Sequence, residues 1–288
     1  MRLVSFGSAG HERPGAMLAD DRIVDLQAAS GGRLTSVRQL LAAGDAGLAE
    51  VRGWLASPRA EWVRAVGSER LGPPVTDPGK IACMGRNYKE HADEQGAQLP
   101  AQPMLFSKAA TALCGHGDPI WYPVDEEHVD YEVELAVVIG KPAFRIDAAD
   151  WREYVAGYTV LNDVSARDTQ RGDKQWFRGK SFDSFCPLGP WLVTRDEIAD
   201  PHALRVTTHL NGEVRQDSTT SLLIFPIPYI LAFATRNITF LPGDVIATGT
   251  PAGVGMFRDP PACMKVGDEV SVSVQGIGTL TNRVTARP

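Results

Sequence analysis

The run "DYEVELAVVIG", residues 130–140, decides how the rest of the chain is read. Tyr131, Val133, Leu135, Val137 and Ile139 share one parity, and Asp130, Glu132 and Glu134 the other. Successive side chains of a strand point to opposite faces, and i to i+2 spans about 6.6 Å, so the run predicts a strand with three carboxylates side by side along one face. Two unit charges about 4 Å apart at an effective dielectric of about 20 repel by about 4 kcal/mol. Carboxylates crowded beside a core therefore need protons, cationic partners or a metal, unless the face is solvated and paired with Arg or Lys across the sheet.

A second acid widens the choice. In "TVLNDVSARD", residues 159–168, Asp163 interrupts the apolar Val160, Leu161 and Val164. It reads as a bulge or turn residue, or as a third oxygen ligand from a neighbouring strand. Glu132, Glu134 and Asp163 together would make an all-oxygen site of net charge −3, suited to a hard divalent ion such as Mg²⁺, which keeps waters that a substrate's oxygens can replace.

Working outward, "CMGRNYKEHADEQG" (83–96) places Glu90 three residues after Asn87, a capping-box spacing that predicts a short helix beginning after Asn87. His91 and Glu94 are then neighbours on one helical face, able to form a hydrogen-bonded pair or to be incidental surface polarity. "GKS" at 179–181 lacks the glycine that a phosphate loop needs upstream and no strand leads into it, so a nucleotide site is excluded. Lys180 is left as a cation among aromatic residues. "GDVIATGTPAGVGMF" (243–257) is a strand running into a Gly- and Thr-rich loop that could aim N–H groups and the Thr250 hydroxyl at an anion, or be a plain turn.

The totals set outer limits. The 288 residues carry a net charge of −6 with no block of Lys and Arg, which argues against a nucleic-acid or anionic-membrane surface and for a small-molecule partner. Four scattered cysteines without a C-x-x-C pair read as reduced thiols. No apolar run reaches the ~18 residues of a membrane span and the start lacks a signal-peptide pattern, so the expected location is cytoplasmic. "MRLVSF" and "AMLADDRIVDL" read as strands, and "SVRQLLAAG" and "GLAEVRGWLAS" as helices. The Pro- and Gly-rich 68–80 then suggests a boundary, giving a small N-terminal α/β domain over 1–72 and a second domain over 73–288. Beyond it short alternating strands outnumber helices, which predicts an α+β, β-rich fold.

Taken together, "GRNYKEHADE" (85–94), "PMLFSK" (103–108), "DYEVELAVVIG", "GYTVLNDVSARDTQ" (157–170), "RGKSFDSFCPLGPW" (178–191), "LNGEVRQDSTTSLLIF" (210–225) and "LPGDVIATGTPAGVG" (241–255) resemble the fumarylacetoacetate hydrolase superfamily, from about residue 80 onward. The resemblance implies a roll of mixed β-sheets, commonly a homodimer. It also implies Mg²⁺ or Mn²⁺ on Glu132, Glu134 and Asp163, and a water-activating dyad of His91 and Glu94. Lys180 would stand near the reacting carbonyl, with Arg86, Gln170 and Thr250 lining the substrate site. The implied activity is hydrolysis of a C–C bond in a 2,4-dioxo acid, acylpyruvate-like or a 2,4-dioxo sugar acid, through a metal-chelated enolate. The alternatives on the same residues are an oxaloacetate-type decarboxylase, a 2-oxo diacid isomerase or tautomerase, and a metal-binding homologue without turnover. Asp130 is left without a role.

Overall fold

A computed structural model describes residues 1–19 and 21–287. Its centre is the strand Val133–Ile139, and every residue of it is buried. The odd positions Val133, Leu135, Val137 and Ile139 join one apolar cluster, with Val206, Val270, Val272 and Leu280. The even positions Ala136 and Val138 join another, with Leu34, Val37, Leu40, Leu41 and Leu188. The expectation of one apolar and one acidic face therefore holds only for the first half of the run. From residue 135 the strand is covered on both sides, as a central strand between two layers must be.

The acidic half is also where the strand breaks. Val129–Asp130 pairs with Ser165–Ala166 in a separate two-stranded ribbon, while Val133–Ile139 pairs with Val155–Asn162 in the main sheet. Glu132 lies in the gap, Glu134 one residue into the main strand, and Asp163 just past the end of its partner, held by Asp163 N–H donating to Glu132 O at 2.9 Å. Three acids thus meet where two paired strands come apart.

The main sheet of 12 described strands runs in the order Val63–Ala65, Arg22–Asp25, Arg13–Met17, Arg2–Phe6, Cys186–Thr194, Val155–Asn162, Val133–Ile139, Val245–Ala247, Ile81–Gly85 and Met104–Ser107, with two short strands off this path. The N-terminal strands extend the same sheet through Arg2–Phe6 pairing antiparallel with Cys186–Thr194. A five-stranded sheet, Glu213–Thr219, Arg205–Leu210, Glu269–Val274, Gly278–Ala286 and Pro119–Tyr122, covers one side. The helices Val37–Ala42 and Gly44–Ala56 cover the other through Val37, Leu40, Leu41 and Val51. Strands exceed helices, as the pattern predicts, and the fold is α+β and β-rich. Ile227–Ala234 is a helix with proline in its first turn, where the missing N–H costs nothing. The stretch leading to Lys180 forms the short helices Arg167–Asp173 and Trp176–Gly179.

One local expectation is corrected. The helix after Asn87 exists, as Lys89–Glu94, but Tyr88 is its N-cap and no side chain caps it. Asn87 is wholly buried and ties loops together instead: its amide nitrogen donates to Thr248 O at 2.8 Å and Phe225 O at 3.1 Å, and its amide oxygen accepts from Phe225 N at 2.8 Å. A cap bond satisfies one orphan donor, whereas this arrangement satisfies three backbone groups of two other loops.

At Gly157 the neighbouring strand approaches so closely that a Cβ would lie 2.0 Å from Val193 O. Backbone, not a movable side chain, occupies that space. Gly157→Ala is expected to cost about 2–3 kcal/mol by overpacking. The measurement is a urea titration: the midpoint should fall with an unchanged slope, and an unaltered midpoint would mean the close approach is absent.

Candidate metal centre and active site

Where the two ribbons part, four carboxylates are buried within one region: Asp130, Glu132, Glu134 and Asp163, none more than 4 % exposed. One oxygen from each of Glu132, Glu134 and Asp163 lies within 4.8 Å of the others. Three buried cations answer them. Lys180 Nζ bridges Glu132 Oε2 at 2.7 Å and Asp163 Oδ2 at 2.8 Å. Lys108 Nζ donates to Asp163 Oδ1 and to Val164 O. The Arg167 guanidinium spans Asp130 Oδ2 at 2.9 Å and Glu132 Oε1 at 2.7 Å.

Four anions against three cations leave one acid over, and the contacts identify it as Glu134. Its Oε2 accepts from Gly249 N, at 2.7 Å, and among the described residues no Lys or Arg pairs with it. Burial, together with the charges of Asp163 and Glu132, pushes the Glu134 carboxyl well above its ordinary value. Burial acts the same way on Glu132, yet Lys180 and Arg167 outweigh it and hold that group ionised, well below its ordinary value. Burial disfavours the Lys180 ammonium, but Asp163 and Glu132 outweigh it and keep it protonated. A divalent ion fits this donor set: three carboxylate oxygens lie within 4.8 Å of one another, and the ion would supply the positive charge that Glu134 lacks.

Asp130, without a role in sequence terms, is structural. Its Oδ1 accepts from Tyr131 N and Gly255 N at 2.9 and 2.7 Å, and its Oδ2 from Met256 N and Arg167 Nε at 3.0 and 2.9 Å. It pins the glycine-rich loop to the site. That loop does aim its N–H groups at anions, but at the protein's own: Glu134 through Gly249, Glu94 through Gly253, and Asp130 through Gly255 and Met256. Gly249 has φ +100°, a conformation that favours glycine, and a Cβ there would also meet Asn87 Cβ at 2.8 Å.

The carboxylates open into a cavity of about 390 Å³, at the small end of the range for metabolite sites. His91 and Gln95 line one side. His91 Nδ1 lies 2.6 Å from Glu94 Oε1, as the H-x-x-E spacing suggests, and His91 Nε2 lies 2.6 Å from Gln95 Nε2. Arg86, Gln170 and Thr250 also line the cavity. Thr250 Oγ1 accepts from Gln216 Nε2 at 2.8 Å, and Gln170 Oε1 accepts from Arg167 at 3.0 Å. Arg171 and Lys174 add two exposed cations to the wall, and neither forms an ion pair among the described residues. All nine residues singled out in the sequence therefore converge on one place, though Glu94 stands behind His91 and Asp163 beneath Lys180.

Sequence reasoning missed Lys108, Arg167 and Gln95. Lys108 ends the apolar "MLFS" strand and Arg167 stands four residues after Asp163, so both carried a faint signal: a cation abutting a buried run. Gln95 carried none. All four cysteines are free, and burial raises Cys83, Cys114 and Cys186, the last to about 12, so they remain thiols.

Burial and the charges of Asp163 and Glu132 favour the protonated form of Glu134, whereas a bound cation favours the ionised form. Folding linkage has the same origin: a carboxyl whose pKa rises on folding destabilises the fold as pH climbs above its unfolded value of 4.5, until the folded group also ionises. Ion affinity is therefore expected to rise with pH, with protons released as Mn²⁺ binds in a number that falls as pH climbs. Calorimetric titration in two buffers of different ionisation enthalpy measures that number. Glu134→Gln should abolish both uptake and release, and uptake without proton release would contradict the charge count.

The family model described as fumarylacetoacetate (FAA) hydrolase C-terminal matches residues 80–285. Oxaloacetate tautomerase Fahd2a, mitochondrial, of Rattus norvegicus is 42% identical over 293 residues, covering 99% of this chain and 91% of the relative. Oxaloacetate tautomerase YisK of Bacillus subtilis is 39% identical over 286 residues, covering 94% and 95%. Among solved structures, maleylpyruvate hydrolase of Sphingobium sp. SYK-6, in complex with manganese(II) and pyruvate, superposes with a TM-score of 0.83 at 30% identity, covering both chains fully. Among the described residues no helix is long and apolar enough to cross a membrane. The chain belongs to the fumarylacetoacetate hydrolase family, whose members named here include tautomerases and a hydrolase.

Proposed function

We propose that the protein is a divalent-metal-dependent keto–enol tautomerase of a short 2-oxo diacid of the oxaloacetate kind. This reverses the order of the two readings drawn from sequence, where hydrolysis came first. The observation that carries it is the surrounding of His91. Any reactant that reaches Nε2 must first displace the Gln95 amide, 2.6 Å away, which favours a charged substrate over a neutral water. The two tautomerase relatives, matched over more than nine-tenths of their length, support the same reaction.

Tautomerisation asks less of the site than hydrolysis does. An ion on Glu132, Glu134 and Asp163, Mg²⁺ or Mn²⁺, would supply a Lewis acid for two oxygens of a 2-oxo acid. The chain's own groups then handle one proton. Arg86, Arg171 and Lys174 offer positive charge to the substrate's carboxylates at the cavity wall. His91 Nε2 takes a proton from C3, with Glu94 on Nδ1 holding the ring and favouring the imidazolium that forms. The C–H electron pair becomes the C2–C3 double bond, and the charge moves onto the C2 oxygen, where the Lys180 ammonium can donate a hydrogen bond. The proton passes to that oxygen to complete the enol, and the reverse sequence restores the ketone. No water adds and no C–C bond breaks.

Hydrolysis of an acylpyruvate remains the second reading, supported by the similarity to the maleylpyruvate hydrolase of Sphingobium. A homodimer and a reducing, cytoplasm-like compartment belong to the same proposal, the latter resting on the four free thiols.

The test follows the ultraviolet absorbance of enol oxaloacetate, with pyruvate release and acylpyruvate cleavage assayed in parallel. Mg²⁺- or Mn²⁺-dependent loss of the enol, faster than either cleavage, is the expected result. His91→Ala should lower the rate by about 10²- to 10⁴-fold while ion uptake persists. Preferential acylpyruvate cleavage, or full activity in His91→Ala, would overturn the assignment.

A further inference from the structure

Four side chains form a hydrogen-bonded line with a single direction. Arg86 Nε donates to Gln95 Oε1 at 3.1 Å, Gln95 Nε2 faces His91 Nε2 at 2.6 Å, His91 Nδ1 faces Glu94 Oε1 at 2.6 Å, and Glu94 Oε2 accepts from Gly253 N at 2.9 Å. An ionised carboxylate only accepts, so the imidazole hydrogen is on Nδ1 and the lone pair on Nε2. An arginine nitrogen only donates, so the Gln95 oxygen must face Arg86 and its NH₂ must face His91. Every link is satisfied in this orientation alone, and only with His91 neutral.

The consequence concerns the base itself. The lone pair that would accept a proton from substrate is already used by Gln95. The arginine at the other end of the line lies in the cavity, with Arg86 Cζ 5.7 Å from the Trp176 ring centroid and no acid among the described residues paired with it. Its backbone is held at φ 54°, a region a residue with a side chain seldom adopts, which fixes where the side chain starts.

We infer that Gln95 is a latch on His91, released when a carboxylate of the substrate engages Arg86. This rests on the tautomerase reading and deepens it by naming the ligand class, a 2-oxo acid with a second carboxylate. A carboxylate approaching the guanidinium side-on takes Nε and one terminal nitrogen together, the bidentate geometry that suits both partners. It displaces Gln95 Oε1 from Nε. Without that anchor the amide loses the bond that aims its NH₂ at His91, and Nε2 is free to meet C3. Once His91 has accepted a proton, Nε2–H and the Gln95 NH₂ are both donors, so the latch cannot re-form until the proton has left. A mono-acid leaves Arg86 on Gln95 and the base masked. Discrimination between diacid and mono-acid is thereby expressed in kcat as well as in KM, and Gln95 acts as a positioning residue through His91.

The test compares enol oxaloacetate with its C4 methyl ester, which lacks the second charge. In the unaltered enzyme kcat for the ester should be at least tenfold below that for the diacid. Gln95→Ala removes the latch and should bring the two kcat values within about twofold, with KM still favouring the diacid. Gln95→Glu would place a carboxylate between Arg86 and His91, hold the imidazole protonated and suppress both substrates. A merely structural role predicts equal loss in both variants, and an unchanged kcat ratio in Gln95→Ala would overturn the latch. A second readout needs no turnover: ¹⁵N-histidine spectra of the Mg²⁺-loaded protein, with His91 assigned from His91→Asn. Malonate should shift the His91 Nε2 resonance and acetate should not, and the malonate shift should vanish in Gln95→Ala. If malonate leaves Nε2 unmoved the latch is wrong. If Nε2 responds but enol oxaloacetate is not turned over, the latch stands and the tautomerase reading falls.

Discussion

The structure depends on a balance of buried charge. Asp130, Glu132, Glu134 and Asp163 sit where solvent does not reach, and an isolated ion in such a place carries a penalty of several kcal/mol. Lys108, Arg167 and Lys180 offset three of the four. The remainder on Glu134 makes the site receptive to a cation. Removing any of the three lysine or arginine partners would strand a carboxylate, so these residues serve the fold as much as the chemistry.

The sheet supplies the geometry for that balance by failing at one point. Pairing of Val133–Ile139 with Val155–Asn162 is continuous until the Glu132 and Asp163 end, where the backbone diverges into the short Val129–Asp130 ribbon. Ladder bonds lost there are replaced by side-chain bonds. Glu132 N donates to Asn162 Oδ1 at 3.0 Å, and Val133 N to Gln216 Oε1 at 3.0 Å. Gln216 in turn holds Thr250 and Pro251, and Asp130 holds Gly255 and Met256. The loop, the strand ends and the Lys89–Glu94 helix are thus one connected polar assembly on a rigid apolar base, which is how catalytic groups come to be held within tenths of an ångström.

Members of the family named as tautomerases and as a hydrolase share this scaffold, so the reaction must be decided by what stands next to the common groups. In this chain the neighbour of His91 is an amide bonded to an arginine of the cavity wall. An imidazole whose reactive nitrogen is covered by a side chain favours a substrate that can displace the cover over a water that cannot. Charge on the wall points the same way: Arg86, Arg171 and Lys174 lack acidic partners among the described residues and suit a ligand with more than one carboxylate.

The alternation of residues 130–140 and the apolar spacing around 37–56 and 227–234 sufficed for the β-rich fold, because hydrophobic period is a local property written in consecutive residues. The acids at Glu132, Glu134 and Asp163 were legible for the same reason, each being an ionisable group inside an apolar run. Family resemblance added the roles of His91, Glu94 and Lys180. Tertiary structure alone decided the rest: that Asn87 ties loops instead of capping a helix, that Asp130 braces the glycine-rich loop, that Lys108 and Arg167 neutralise the site, and that Gln95 covers His91. Those are contacts between residues many positions apart or between side chains whose aim is set by packing. Their partners are chosen by the three-dimensional path of the chain, and no spacing along the sequence encodes it.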